Sequence, residues 1–415
     1  MSNEHHSWQV GSSLPLIRPH SQAKHRLLRT YLERYIAVLT ANPRRSSLRL
    51  TLVDGFAGGG QYSTGIGGDI QPGSPLIALE AMEVAQVLAQ GARSKPFHLD
   101  VKYIFVEKDA GAAIHLRRVI SDSKYRHMLD GDIKIIHGEF VEHSPEIEEY
   151  IKNRKGRSIF VLDQFGYTDV PLPLVSRILT TLRKSEVILT FAVDSLIDYL
   201  SDDEQTQKRL ERVGIALPTS TLADLKAEHS WRRTIQFALH EEIPPKTNAG
   251  FYTPFFIRST DAHRDLWLIH LSGHYRARDV MVGLHWQEST SFSHYGRAGL
   301  QMLGYDPERD ASWNTQQLLP GFYFDEAARV ASQSELLNQL PEQIYRFKQG
   351  IVFNDLFSEL TNHCPVTAEI MSEVTETLAK EGVISVRSKS GRERRGGVTV
   401  GTDIVIPNSQ KVMFY

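Results

Sequence analysis

The sequence predicts an α/β fold: an open, mostly parallel sheet that ends in an antiparallel hairpin, followed by a small winged helix-turn-helix unit. Three observations predict it. Short apolar runs recur along the first half of the chain, each ending in an acid or a Gly-acid step, and they alternate with segments of helical periodicity. Phe251–Arg258 and Leu266–Ser272 alternate apolar residues around Asp261-Ala262-His263-Arg264-Asp265, as antiparallel strands do. The last 70 residues read helix, helix, strand, basic turn, strand.

Composition fits that class. At 415 residues two domains are expected, here 1–340 and 341–415, with a charged helical insertion at about 194–250. Apolar residues make up 41% and charged residues 23%, enough for a sizeable core. The net charge of −2 provides no global attraction to nucleic acid, so any such binding needs a local patch. The single cysteine, Cys364, excludes a disulfide framework or a cysteine-built metal site and fits a reducing compartment. No apolar run approaches the ~20 residues that span a bilayer, and Met1–Gly11 lacks an apolar signal core, so a cytoplasmic location is expected.

Taken in order, a helix is expected from Ser21, as its cap, to Thr40, with Leu27, Leu28, Tyr31, Leu32, Tyr35 and Ile36 on its apolar face. Lys24 and His25, in its first turn, read as solvated. The central strand, 50–54, breaks into Asp54-Gly55-Phe56-Ala57-Gly58-Gly59-Gly60. Glycines there let a backbone approach a ligand closely, and the carboxyl edge of an open sheet is where ligands bind. A carboxylate at Asp54 repels phosphate and suits a cationic or hydroxyl-rich ligand. The Gly-rich stretch to Gly73 reads as a lid or a floppy insert. Ser74-Pro75 then starts a helix.

Strand 101–106 ends in Glu107, placed for ribose hydroxyls. Strand 133–137 is followed by Glu139. The apolar run 158–162 ends in Asp163-Gln164-Phe165-Gly166-Tyr167, where a carboxylate accepts from an exocyclic amine and an aromatic ring stacks on a base. After the helix 173–182 and the strand 187–193, Asp194 reads as a further edge acid or, in preference, as the cap of a helix at 195–200. His270 and His274 lack the further ligands that a metal site needs, so no metal is expected. The polar stretch 275–325 has weak periodicity.

The ordered set Asp54-x-Phe56-Ala57-Gly58-x-Gly60, Glu107, Glu139 and Asp163-Gln164-Phe165-Gly166 resembles class I S-adenosylmethionine-dependent methyltransferases, Rossmann-like enzymes. More narrowly, the chain resembles the three-Cys-motif partner (TcmP) family. That likeness adds the Lys24-His25 helix, the Gly73-Ser74-Pro75-Leu76 helix start, the hairpin and the small C-terminal domain. It implies that Asp54, Phe56, Gly58 and Gly60 cradle the methionine end of S-adenosylmethionine, with Glu107 on the ribose and Glu139 near the adenine. Asp163, Phe165 and Tyr167 would form the acceptor site of an amino-methyltransferase. Such enzymes carry two prolines after the first residue of that step; this chain has Gln164 and Gly166 around Phe165.

In the C-terminal unit, helices at 352–361 and 366–381 lead to the strand 382–386. Arg387, Lys389, Arg392, Arg394 and Arg395 then form a basic tip before the strand 398–406. Such a wing supplies phosphate contacts, or else leaves a solvated tip on a unit used for protein contacts. Cys364 is expected to be a small buried residue.

Three functions follow. The first is a methyltransferase acting on a nucleic-acid base amine, DNA or RNA, with the winged helix holding the substrate. The second is a catalytically silent cofactor-binding scaffold for a three-Cys-motif partner protein. The third is a nucleic-acid-binding defence or regulatory component.

Overall fold

A computed structural model of the chain describes residues 8, 13–65, 68–91, 93–164, 168–191, 204–215, 242–258, 265–287, 293–294, 299–301, 322–323, 325–364, 366–394, 398 and 401–408. Two compact units result: residues 1–229 with 238–280, and residues 230–237 with 281–415.

The first unit opens with helix α1 (Pro19–Thr40). It starts two residues before the expected Ser21 cap, because Pro19 presets the helical φ at its first position. Strand β1 (Ser47–Asp54) follows, its last five residues all buried. The expected loop at 61–73 is instead a small hairpin, β2 (Gln61–Ser63) and β3 (Ile70–Pro72). The lead-in residue Leu16 bridges to Ser63 beside it. Gly73 N–H donates to Gly60 O at 2.8 Å and closes the base of the hairpin.

Strands and helices then alternate: α2 (Ser74–Gly91), β4 (His98–Glu107), α3 (Ala110–Ser121), β5 (Ile133–His137), α4 (Phe140–Arg154), β6 (Arg157–Leu162), α5 (Leu172–Thr181) and β7 (Ser185–Phe191). Of the insertion, α6 (Glu204–Val213) and a helical turn at 242–247 are described. The expected cap at Asp194 lies outside the described residues. The hairpin β8 (Phe251–Arg258) and β9 (Asp265–Ser272) completes the sheet.

The order across this unit's sheet is β5-β4-β1-β6-β7-β9-β8. Neighbours from β5 to β7 pair parallel, and β9 pairs antiparallel with both β7 and β8. By chain order the strands run 3-2-1-4-5-7-6, the class I methyltransferase sheet. Its direction of winding reverses between β1 and β6, which sets the switch point where such sheets bind ligands.

Helix α7 (Tyr275–Gln287) reaches the division at residue 280. The second unit contains the two-residue strands β10 (Ser293–His294) and β11 (Phe322–Tyr323), which pair antiparallel. It continues with α8 (Glu326–Ile344), β12 (Ile351–Val352), α9 (Phe353–Leu360), α10 (Ala368–Lys380), β13 (Ile384–Arg387) and β14 (Ile404–Pro407). Its antiparallel sheet has the order β12-β14-β13. Thr367 caps α10, its hydroxyl accepting the Ile370 N–H at 3.2 Å. Phe353, Phe357, Ile370, Leu378 and Val405 fill the core, and Cys364 is buried as expected. Among the described residues no helix is long and apolar enough to cross a membrane.

Candidate active site at the switch point

Register brings three of the predicted acids together. Asp54 ends β1 and lies opposite Phe105 on β4 and Val161 on β6. Glu107 and Asp163 are each two residues beyond those partners, so the three carboxylates flank one notch. The glycine turn at the end of β1 is pinned on both sides: Gly55 N–H donates to Val161 O (2.9 Å) and Ala57 N–H to Val106 O (3.0 Å). Gly58 and Gly60 have φ of +60° and +81°, the left-handed region that glycine tolerates. His115 on α3 holds the turn from outside, its Nδ1 2.7 Å from Gly59 O.

Asp54 is 1% exposed. Its Oδ1 accepts the Phe56 N–H at 3.1 Å, while Oδ2 has no hydrogen-bond partner. Burial pushes its carboxyl up to about 7, against the opposing effects of the Ser74 hydroxyl and the Phe56 N–H. Phe56 is half-buried beside it. Glu107 accepts Gly58 N–H and Asp109 N–H, both at 2.8 Å. Each of its oxygens keeps a further lone pair for a hydroxyl donor. Glu139 stands at the N-cap of α4, exposed, with Lys108 Nζ 3.9 Å away.

Asp163 is paired with a residue that the sequence places in solvent. Lys24 Nζ lies 2.6 Å from both Asp163 oxygens, with the lysine side chain only 13% exposed and the aspartate 34%. The solvated reading of Lys24 and His25 is therefore corrected. Lys24 precedes Leu27, Leu28 and Tyr31 by three, four and seven residues, the spacing of one helix face, and that face meets the sheet. Desolvation works to raise the Asp163 carboxyl, but the Lys24 ammonium, the Thr190 hydroxyl and His25 outweigh it and hold it below its ordinary value. Burial lowers His25 to about 4 despite the attraction of Asp163, and its Nδ1 is buried without a partner. A cavity of about 30 Å³, room for a water, opens among Lys24, His25, Ser74, Asp163 and Thr190.

Gln164 is buried, its Oε1 accepting the Asp169 and Val170 N–H groups at 3.0 Å each. Phe165 and Tyr167 lie outside the described residues. Two aromatic residues that the sequence does not single out complete the notch. Trp8 is 7% exposed and packs on the glycine turn; its Nε1–H donates to Gln61 O at 2.8 Å. The Tyr62 ring meets it edge-on at 5.5 Å. His270 lies within 3.0 Å of the Tyr31 hydroxyl and 3.2 Å of Glu186.

In the second unit, Arg387, Lys389 and Arg392 are exposed at the wing tip. Arg394 is committed: its guanidinium makes two 3.0 Å bonds to Asp403, which is fully buried. Arg395 lies outside the described residues. On α10, Glu373 accepts from Arg329 (3.0 Å) and Gln333 (2.6 Å) of α8, and Glu376 accepts the Val398 N–H at 3.1 Å.

Comparison with known proteins matches residues 304–391 to the family described as GMT-like wHTH domain. No curated protein matches the chain. Among solved structures it is similar to protein LPL1258 from Legionella pneumophila, with 10% identity over 64% of this chain and 93% of that one and a TM-score of 0.35. An O-methyltransferase from Bacillus cereus in complex with SAH gives 13% identity over 59% and 80%, with a TM-score of 0.27. The METTL16 MTase domain gives 10% over 60% and 68%, with a TM-score of 0.25. The strand order of the first unit is that of the class I methyltransferase fold, and the second unit has the helices and wing of the family it matches.

Proposed function

We propose that the first unit binds S-adenosylmethionine and transfers its methyl group to a nucleic-acid base amine, with the winged helix holding the nucleic acid, in keeping with the resemblance of the sequence to class I methyltransferases. The observation that carries this is the register: it sets Asp54, Glu107 and Asp163 around a glycine turn at the switch point. The residues suit the cofactor. Asp54 offers an unsatisfied buried oxygen, Glu107 keeps lone pairs for ribose hydroxyls, and Gly58 and Gly60 admit a close backbone approach. When bound, the cofactor supplies an electrophilic methyl on a positively charged sulfur.

The chain's own contribution is alignment, which accounts for most of the acceleration in such a transfer. Asp163, kept ionised, accepts an N–H of the acceptor and turns its nitrogen lone pair toward the notch. The Gln164 carboxamide fixes the start of the following loop through Asp169 and Val170. Trp8 and Tyr62 wall the notch against water.

The Lys24–Asp163 pair and Gln164, where amino-methyltransferases carry proline, favour a second reading: a cofactor-binding scaffold without turnover, serving a three-Cys-motif partner protein. Calorimetric titration of S-adenosylmethionine and S-adenosylhomocysteine into wild type and Asp54→Ala tests what both readings share. Binding lost in the variant supports the site, and a radiolabelled methyl-acceptor screen then separates turnover from scaffold. No binding by wild type sinks both and leaves a nucleic-acid-binding regulator.

A further inference from the structure

The resemblance includes the Lys24-His25 helix but gives Lys24 no role, yet Lys24 holds the residue at the centre of the proposed acceptor site. It reaches Asp163 from α1 with a nearly buried stem, and its Nζ is seated symmetrically on both oxygens at 2.6 Å. Asp163 also faces His25 from α1, Asp54 from β1, Tyr62 from β2 and Thr190 from β7. Of these neighbours Lys24 is the cation, since burial keeps His25 neutral. A carboxylate has about four lone-pair positions. Lys24 takes two and the Thr190 hydroxyl a third, and Asp163, a third exposed, keeps the remaining one for a ligand.

We propose that Lys24 is a fixed positioning residue of the acceptor site: it holds Asp163 as an acceptor-only partner for a neutral N–H and repels acceptors that arrive as alkylammonium ions. The substrate class of this site is therefore an uncharged amine or amide, such as the exocyclic amine of a base, and not a lysine side chain. An ammonium brought to Asp163 would meet Lys24 at a few ångströms, and like charges at that separation in a recessed site repel by several times the thermal energy. This inference rests on the proposed cofactor site.

S-adenosylmethionine and S-adenosylhomocysteine form a matched pair of probes, differing by one methyl and one positive charge at sulfur. Calorimetry on wild type, Lys24→Met, Lys24→Gln and Lys24→Arg in the full chain reads that charge. In both neutral variants the preference for the sulfonium over the thioether should rise by roughly fivefold or more, with homocysteine-form affinity within about threefold of wild type. Lys24→Arg should keep the wild-type ratio. A purely structural lysine would weaken both ligands together, so an unmoved ratio in both neutral variants overturns the inference. So does an equal shift in the arginine variant. If wild type binds neither ligand, the cofactor reading fails and takes this inference with it.

Discussion

Asp54 carries a buried carboxyl at the sheet edge. Its carboxyl titrates near 7 in the folded chain, against about 3.8 ordinarily, chiefly because it is buried. The folded chain thus holds a proton that the unfolded chain releases between pH about 4 and 7. Its contribution to stability is full below that window and is lost as the pH rises through it. Asp54→Asn keeps an acceptor for the Phe56 N–H and removes the charge. Relative to wild type it should gain about 2 to 3 kcal/mol more at pH 8 than at pH 5, at 1.36 kcal/mol per unit, while losing affinity for a cationic ligand. Thermal unfolding at the two pH values checks it; an equal offset at both would show that the charge is not the source. Gly59 is constrained differently. A Cβ there would lie 2.3 Å from the Trp8 ring, so Gly59→Ala overpacks the turn and should cost about 1 to 3 kcal/mol. Adding Trp8→Ala should recover most of that cost. A cycle in which the two substitutions are additive would mean that the contact contributes nothing.

At the scale of elements, α1 sets the site's electrostatics through one face. Two turns beyond Lys24, the fully buried Tyr31 hydroxyl donates to Glu186 of β7, and His270 of β9 sits against both. This cluster anchors the helix to the antiparallel edge of the parallel sheet. Tyr31→Phe would leave a buried carboxylate short of a donor, which costs about 2 kcal/mol. It should lower the unfolding midpoint and weaken cofactor-form binding together, because Lys24 moves with the helix. Lower stability with unchanged affinity would detach the two ends of α1. The strands of the sheet were legible from their apolar runs, since a buried parallel strand needs little more than that pattern, and the acids at their ends followed from the same reading. The Lys24 contact is not legible in the sequence, although its spacing from Leu27, Leu28 and Tyr31 places it on the apolar face. A first-turn lysine beside apolar positions is read as solvent-facing unless its distant partner is known, and Asp163 lies 139 residues away. Trp8 carries no local signal, because its packing depends on a glycine turn some fifty residues downstream. The 61–73 hairpin was hidden by its glycines, which suit a loop and a tight hairpin equally well.

At the scale of the whole molecule, a net charge of −2 leaves nucleic-acid binding to a local surface, and the winged unit narrows where that surface lies. Helix α10, the second of its helix-turn-helix pair, which in such modules enters the major groove, carries Glu369, Glu373 and Glu376. Glu373 is tied to α8 and Glu376 to the Val398 backbone. Arg394 neutralises Asp403, so Arg394→Ala should destabilise this unit, on the order of 2 kcal/mol for leaving a buried carboxylate unpaired, and it does not report on binding. Among the described residues of the wing tip, the cations left for phosphate are Arg387, Lys389 and Arg392. Contacts to phosphate alone carry no sequence information, so binding should be weak and indifferent to sequence. The logarithm of its affinity should fall with that of salt with a slope of about −3, close to 0.9 for each of three contacts. Fluorescence anisotropy with two unrelated oligonucleotides, from 50 to 200 mM salt, measures both properties. The triple variant Arg387→Glu, Lys389→Glu, Arg392→Glu should abolish the signal without moving the unfolding midpoint. A slope of twice that size, or a preference between the two sequences, would mean that a further basic surface or a reading helix takes part. No binding at the lowest salt would assign the winged helix to a protein partner, the role its carboxylate-bearing helix would suit.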